Sequence, residues 1–311
     1  MKNNKLHTVL GGYGAIGNAV LQELKIRNLE TRAVERNKDI PGFPTVKADL
    51  LDIAQTTKAI EGSDFVYLCV GIPYNSEIWA HDWPIVMHNV IEACSKNNAK
   101  LIFFDNIYMY GPAPLDIAFT EDHKQIPTTK KGKARKKTAD LLLSAIESKQ
   151  VQGLIGRSAD FYGPRAINST FYIMCLENML QNKNPQSLNK PGIEHTYAYT
   201  EDNAKALVNL ALDDTCYGQV WHLPVGDPIT IQEIVDLFNK NLNSEFKVSY
   251  MPGFLFDILS LFIPILKEAK EMTYQFNSPY IMSFDKFKSK FPDFKVTSYD
   301  SGIQKMIRSF H

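Results

Sequence analysis

Leu6-His7-Thr8-Val9-Leu10-Gly11-Gly12-Tyr13-Gly14-Ala15-Ile16-Gly17 is the stretch on which the fold turns. Leu6 to Leu10 is a short apolar run ending in glycine, the pattern of a buried strand. From Ala15 to Ile26 the apolar positions Ile16, Ala19, Val20 and Leu24 recur at helical spacing. A strand therefore passes through a glycine turn directly into a helix. In that context Gly11 makes the tight turn, Gly14 lets a pyrophosphate approach the backbone, and Gly17 lets helix and sheet pack closely. The bare amides around Tyr13, Gly14, Ala15 and Ile16, with the helix dipole behind them, form a seat for an anion. The expected ligand is an adenine dinucleotide.

Working outward, further short strands are expected at Thr31–Val34, Asp64–Val70, Lys100–Phe104 and Val151–Ile155. Pro84 is expected to open a helix whose Val86, Val90, Ile91 and Cys94 share one face, and Lys133–Ser148 is a second. Strands alternating with helices predict an α/β, doubly wound parallel sheet covered on both faces. The second half is less regular, with helices expected at Phe171–Gln181, Thr200–Leu212 and Ile231–Asn241. The apolar segment Phe254–Leu266, interrupted by Asp257 and Pro264, reads as a core helix, with a dimer contact or pocket wall as the alternative.

Glu35 falls at the end of the second strand and can accept hydrogen bonds from both ribose hydroxyls, which favours NAD. Arg36 and Lys38 beside it could pair with a 2′-phosphate, so NADP is the alternative. Asp49 and Leu50, and then Val70 and Gly71, stand at strand ends that would flank the adenine and the ribose–pyrophosphate.

Composition bounds the remaining classes. At 311 residues the chain is one large domain or two modest ones. Its 34 Lys+Arg balance 34 Asp+Glu, which argues against nucleic acid or a membrane surface as partner. The Lys130–Lys137 run, KKGKARKK, reads as a solvated loop and first helical turn. The polar start, Met1 to His7, lacks the apolar region of a secretory signal. Cys69, Cys94, Cys175 and Cys216 form no CxxC pair and read as reduced, buried thiols, so a cytoplasmic location is expected. The histidines show no metal-ligand spacing, and no metal is expected.

With these residues in place the chain resembles the extended short-chain dehydrogenase/reductase superfamily, in its NAD-dependent epimerase/dehydratase branch. The resemblance rests on GGYGAIG (Gly11, Gly14, Gly17), on Asn89-Val90-Ile91-Glu92-Ala93-Cys94, and on Tyr110-Gly111. It continues through Phe161-Tyr162-Gly163-Pro164-Arg165, Tyr197–Ala204 and Gly218–Leu223. It implies a Rossmann cofactor domain, residues 1–163 with 194–222 returning to it, and a smaller, mostly helical substrate domain, residues 164–311. It implies NAD(P), a small-molecule substrate such as a nucleotide sugar, and a homodimer through two long helices.

The catalytic positions depart from the family's pattern. The family's Ser/Thr falls on Asn106, its tyrosine on Lys131 and its lysine on Arg135. Asn106 can still hydrogen-bond a substrate oxygen, and Arg135 keeps donors for ribose hydroxyls. Lys131 would carry the proton only with a strongly lowered pKa, and a structural or substrate-phosphate role is the alternative. Tyr108 shares strand parity with Asn106 and can present a phenol on the same side; Asp105 and Tyr110 lie close by. Asp160 is placed to hold a sugar hydroxyl or act as base, with Asn168, Tyr172 and Tyr197 as further candidates for lining the cleft. Two functions follow. One is an oxidoreductase or epimerase acting on a hydroxyl or carbonyl. The other is a catalytically silent NAD(P)-binding, redox-sensing regulator.

Overall fold

The structure, a computed structural model, describes residues 5–111, 115–188 and 190–310. The first four residues of the polar start lie outside that description. The main sheet holds β1 (Leu6–Leu10), β2 (Glu30–Glu35), β3 (Thr45–Lys47), β4 (Phe65–Leu68), β5 (Lys100–Asp105), β7 (Gly153–Arg157) and β12 (Val220–His222). All pair in parallel, in the order β12-β7-β5-β4-β1-β2-β3. A second sheet is formed by β6 (Leu115–Phe119), β10 (Glu194–His195), β13 (Ile229–Thr230) and β15 (Tyr280–Met282). Two short pairs join β8 (Phe161–Tyr162) to β11 (Ala198–Tyr199), and β9 (Gln186–Ser187) to β14 (Ser249–Tyr250).

Helices cover both faces of the main sheet, as its uninterrupted apolar strands require. On one face, α2 (Ile53–Ile60), α3 (Ser76–Asn97) and α4 (Lys130–Glu147) bury Val86, Val90, Cys94, Ala139 and Leu142 against Leu68, Leu101 and Phe103. On the other, α1 (Ala15–Ile26) and α6 (Thr200–Leu212) bury Val20, Leu24, Leu207 and Val208, together with Phe287 of α11 (Asp285–Lys290). A separate core gathers Tyr162, Phe171, Tyr197, Phe238 and Met306 between α7 (Ile231–Leu242) and α12 (Tyr299–Arg308). Short helices α5 (Glu177–Leu180), α8 (Gly253–Phe262), α9 (Pro264–Lys270) and α10 (Thr273–Asn277) complete the chain. All four cysteines are free and buried.

Several expectations need correcting. α3 starts at Ser76 rather than Pro84, because the Asn75 carbonyl Oδ1 caps it by accepting from Glu77 N and Ile78 N, each at 3.0 Å. Pro84 sits inside that helix. α4 starts at Lys130, capped by Thr129, and β7 runs two residues later than expected. Phe171–Leu176 is a π-helical stretch that passes into α5. The Phe254–Leu266 segment is not a core helix. Pro264 divides it into α8 and α9, and Phe254, Leu261 and Phe262 are 69%, 74% and 78% exposed.

Three histidines are buried in neutral form: His7, stacked on Phe65 at 4.4 Å, His195 and His222. Burial pushes their pKa values down to about 4, about 4 and about 3. Below the free-imidazole value of about 6.5 the unfolded chain binds protons that the folded chain refuses, so stability falls as pH drops. Unfolding free energies from urea titration, and with them the midpoints, should therefore decline steadily from about pH 6.5 to about pH 4.5, the free energy by up to about 1.4 kcal/mol per pH unit for each histidine. A midpoint that does not move over this window would contradict the buried neutral state.

Candidate functional site

The glycine turn joins β1 to α1 where the strand order reverses, with β2 on one side of β1 and β4 on the other. That reversal opens a crevice at the carboxyl ends of the strands. Gly11 has φ of +86°, and a Cβ there would lie 2.6 Å from the Val70 Cα. A Cβ on Gly17 would lie 2.1 Å from the Gly11 carbonyl oxygen, so helix and turn touch backbone to backbone. Gly14 is open by comparison, its nearest neighbour being the Gly11 oxygen at 3.5 Å. Asn18 N donates back to Gly14 O at 2.8 Å. The amides of Ala15, Ile16 and Gly17, ahead of it in the first turn, have no carbonyl one turn back within the helix and point out of its end.

Around this seat, the Glu35 carboxylate accepts a hydrogen bond from Tyr13 N at 2.7 Å. This fixes Glu35 beside the turn. Arg36 is exposed; Lys38 Nζ lies 3.9 Å over the Tyr13 ring and the Arg165 guanidinium 5.5 Å from it. The two cations lower the pKa of the exposed Tyr13 phenol, led by the Lys38 hydrogen bond. Asp49 accepts from Leu51 N, and the Leu50 carbonyl accepts from Asn89 Nδ2 at 2.9 Å. Gly71 is open, with no atom within 4 Å of a Cβ built there.

The residues on the family's catalytic positions are already engaged. Asn106 Oδ1 accepts from Tyr108 N at 3.2 Å. The strand-parity argument for Tyr108 fails, because β5 stops at Asp105 and Tyr108–Tyr110 is a 3₁₀ turn. Lys131 is fully buried, and its Nζ donates to Glu268 Oε2 at 2.5 Å, Glu271 Oε1 at 2.8 Å and Glu268 O at 2.9 Å. All three ammonium protons are thereby committed to protein acceptors. Arg135 is buried against the Asp105 carboxylate, with Nε at 2.8 Å from Oδ1 and a second bond from Nη2 to the same oxygen. Its guanidinium lies 4.2 Å over the Trp83 ring. In this placement Lys131 is a buried ion-pair partner of Glu268 and Glu271.

Asp160 is placed differently. It follows β7, and its carboxylate has no ion-pair partner among the described residues. Burial raises its pKa to about 6. It is close enough to Tyr74, Tyr108, Tyr197, Tyr274 and Tyr280 to raise the pKa of each, although burial is the larger cause. The Tyr74 and Tyr108 phenols lie close enough to shift each other's pKa, and Tyr108 stacks on Trp79 at 6.0 Å. The Tyr280 hydroxyl is buried with no hydrogen-bond partner among the described residues. Gly111 makes room for this group, since a Cβ there would lie 2.2 Å from the Tyr274 hydroxyl.

Asn168 is exposed, Tyr172 packs on Phe310 at 4.5 Å, and Tyr197 is buried. Sequence reading missed Tyr74, Tyr274, Tyr280, Glu268 and Glu271. They lie far along the chain from their partners, and no spacing marks them. No group of His, Cys, Asp and Glu among the described residues could hold a metal ion.

The family model described as NAD dependent epimerase/dehydratase matches residues 7–217. The chain belongs to this family, and with it to the NAD-dependent enzymes of the extended short-chain dehydrogenase/reductase type. Solved structures share the fold. The Bordetella bronchiseptica enzyme WbmH, in complex with NAD+, is 18% identical with a TM-score of 0.78, covering 98% of each chain. The Thermus thermophilus UDP-glucose 4-epimerase complex with NAD is 18% identical with a TM-score of 0.77, again over 98% of each chain. The Bacillus cereus UDP-glucuronic acid 4-epimerase, in complex with UDP-glucuronic acid and NAD, is 16% identical with a TM-score of 0.80 over 98% of each chain. No curated protein sequence matches the chain.

The commitment of Lys131 can be measured. Converting Glu268 and Glu271 together to Gln leaves a fully buried ammonium without a countercharge and should cost about 3–5 kcal/mol in urea unfolding. Lys131→Met, which removes the charge and keeps the stem, should cost clearly less. Equal losses would show that packing, not charge pairing, holds this corner.

Proposed function

We propose that the chain binds NAD at the β1–α1 turn and oxidises a hydroxyl of a polyhydroxylated substrate, such as a nucleotide sugar. The observation that carries this reading is the backbone contact of Gly17 with Gly11, which leaves a bare helix N-terminus at the crevice. Glu35, held beside the turn by Tyr13 N, favours the two ribose hydroxyls of NAD over the 2′-phosphate of NADP. Bound NAD would supply the hydride acceptor. The cofactor unit is residues 1–163, with 194–222 returning to it; the parallel pairing of β12 on β7 and the packing of α6 on α1 support that division.

Asp160 then takes the proton of the substrate hydroxyl as hydride leaves the same carbon and the C=O bond forms. A carboxyl with a pKa of about 6 is ionised at neutral pH and still a usable base. Tyr74, kept protonated by burial, donates a hydrogen bond to the substrate oxygen, with Tyr108 beside it. Epimerisation, dehydration and simple oxidation share this first step. The nucleotide-sugar enzymes among the structural neighbours support the substrate class. The committed donors of Lys131 and Arg135 favour the second reading, an NAD-binding regulator without turnover.

Calorimetric titration with NAD, NADH, NADP and NADPH tests the first half. NAD should bind, and Glu35→Ala should weaken NAD more than NADP; binding of none defeats both readings. For turnover on a panel of nucleotide sugars, kcat/KM should rise with pH through an apparent pKa of about 6 as Asp160 loses its proton. Asp160→Asn should lower it by about 10²–10⁴-fold and remove that limb. Cofactor binding with no turnover in the parent protein selects the regulator.

A further inference from the structure

We propose that segment 253–277, carrying α8, α9 and α10, is a strap over the crevice that opens as a unit to admit substrate. Its latch is the pairing of Glu268 and Glu271 with Lys131. What it admits rests on the function proposed above. Ligands of an open parallel sheet bind outside the carboxyl ends of its strands. The strap crosses that edge at three neighbouring strands, β4, β5 and β7. After β4, Ser76 N and Asn75 Nδ2 donate to the Glu268 carboxylate at 2.8 and 3.4 Å. After β5, the Tyr274 hydroxyl fills the space beside Gly111. After β7, Asp160 is close enough to help raise the Tyr274 pKa, although burial is the larger cause.

The strap is fixed at both ends. β14 before it pairs with β9, and β15 after it pairs with β6 and β10. Between these ends apolar burial is sparse. α9 has no buried residue, α8 buries only Phe256 and Ser260, and α10 only Gln275. Met272, between α9 and α10, is buried, whereas Phe254, Leu261 and Phe262 are exposed. Charge holds α9 instead. Glu268 and Glu271 take all three protons of the buried Lys131 ammonium, and Glu271 also accepts from Lys130 N at 2.8 Å. The pair of Asp257 with Lys270 is internal to the strap and fastens it to nothing else.

Paired charges make a fastening that can be undone. A buried ion pair adds little net stability, because both partners give up their water to form it. When the strap lifts, Lys131, Glu268 and Glu271 recover that water. A helix anchored by an apolar face would lose its burial with no such return. Elements with few buried apolar contacts open at free energies below that of global unfolding, and active-site lids are drawn from them. Closed, the strap sets Glu268 and Glu271 beside Tyr74, whose pKa they help to raise after burial. A substrate hydroxyl therefore reaches Tyr74 and Asp160 only once the strap has moved.

Hydrogen exchange of the full chain, read by mass spectrometry, tests the latch without any ligand. In the parent protein the amides of 253–277 should exchange ahead of those of α1 and α6. Lys131→Met leaves two carboxylates side by side without their cation. It should speed exchange in the strap by at least about tenfold while α1 and α6 keep their rates. Exchange that rises equally in α1 and α6, or that does not change in the strap, overturns the proposal. With NAD present, a nucleotide sugar of the panel above, such as UDP-glucose, should associate faster with Lys131→Met than with the parent in stopped-flow fluorescence. A strap that exchanges faster with no gain in association rate overturns its role as a gate. If no sugar of the panel binds either protein while the strap exchanges faster, the substrate reading fails and the latch stands.

Discussion

A single carboxylate, Asp105 at the end of β5, lies between two buried guanidinium groups, and the centre of the molecule is arranged around it. Arg135 reaches it from α4 with two hydrogen bonds to one oxygen. Arg157 reaches it from β7, with Nε at 3.5 Å from the other oxygen and no hydrogen bond between them. One negative charge between two positive ones leaves an excess that the surroundings must absorb. Arg157 Nη1 donates to the Tyr110 hydroxyl at 2.7 Å, which lies 2.8 Å from His222 Nε2. Because His222 Nδ1 faces the Ser283 carbonyl at 2.8 Å, Nδ1 carries the ring proton and Nε2 accepts from Tyr110. A neutral histidine, its pKa lowered chiefly by burial, therefore ends the chain. Such an arrangement adds little net stability, but removing one member strands a buried charge, so its members are fixed together.

This arrangement sets the chemistry available at the crevice. On the family's lysine position, Arg135 points into Asp105 and under Trp83 instead of outward. Lys131 is taken by Glu268 of α9 and by Glu271 just beyond it. Each of these buried cations is paired with a counterion from elsewhere in the chain. Asp160 remains as a carboxylate near the crevice without a cation beside it, which is why burial dominates its pKa. An acid–base group needs a pKa near the working pH, and burial raises Asp160 toward it.

The parts of the fold that backbone geometry dictates were legible. Gly11 and Gly17 are demanded by contacts between main-chain atoms, so their spacing identifies the turn before any side chain is considered. Thr200–Leu212 and Ala15–Ile26 carry a clean helical period with one face to bury, and their limits match the structure. β3, three residues long at the sheet edge, is too short to show a period. The KKGKARKK run misled because charge alone reads as solvent-facing. At helical spacing Lys131 and Arg135 turn inward while Lys133 and Lys137 turn outward, and only distant carboxylates decide which pair is which. Phe254–Leu266 misled in the opposite sense, since apolar content reports a preference for burial without saying what does the burying.

The two misread segments are physically one assembly. Glu268 accepts from Ser76 N at 2.8 Å at the start of α3 and from Lys131 at the start of α4, so one side chain of α9 joins the N-terminal ends of both helices. A carboxylate is stabilised there by both helix dipoles as well as by the ammonium. The same short helix follows directly from the exposed apolar stripe of α8, with only Ile263 between them. The Tyr74 ring lies 4.4 Å from the Lys131 ammonium. Tyr74 in turn lies beside Tyr108 on the turn that follows β5. This corner is therefore joined by charge-assisted hydrogen bonds rather than by loosely packed apolar contacts, and such bonds depend steeply on position.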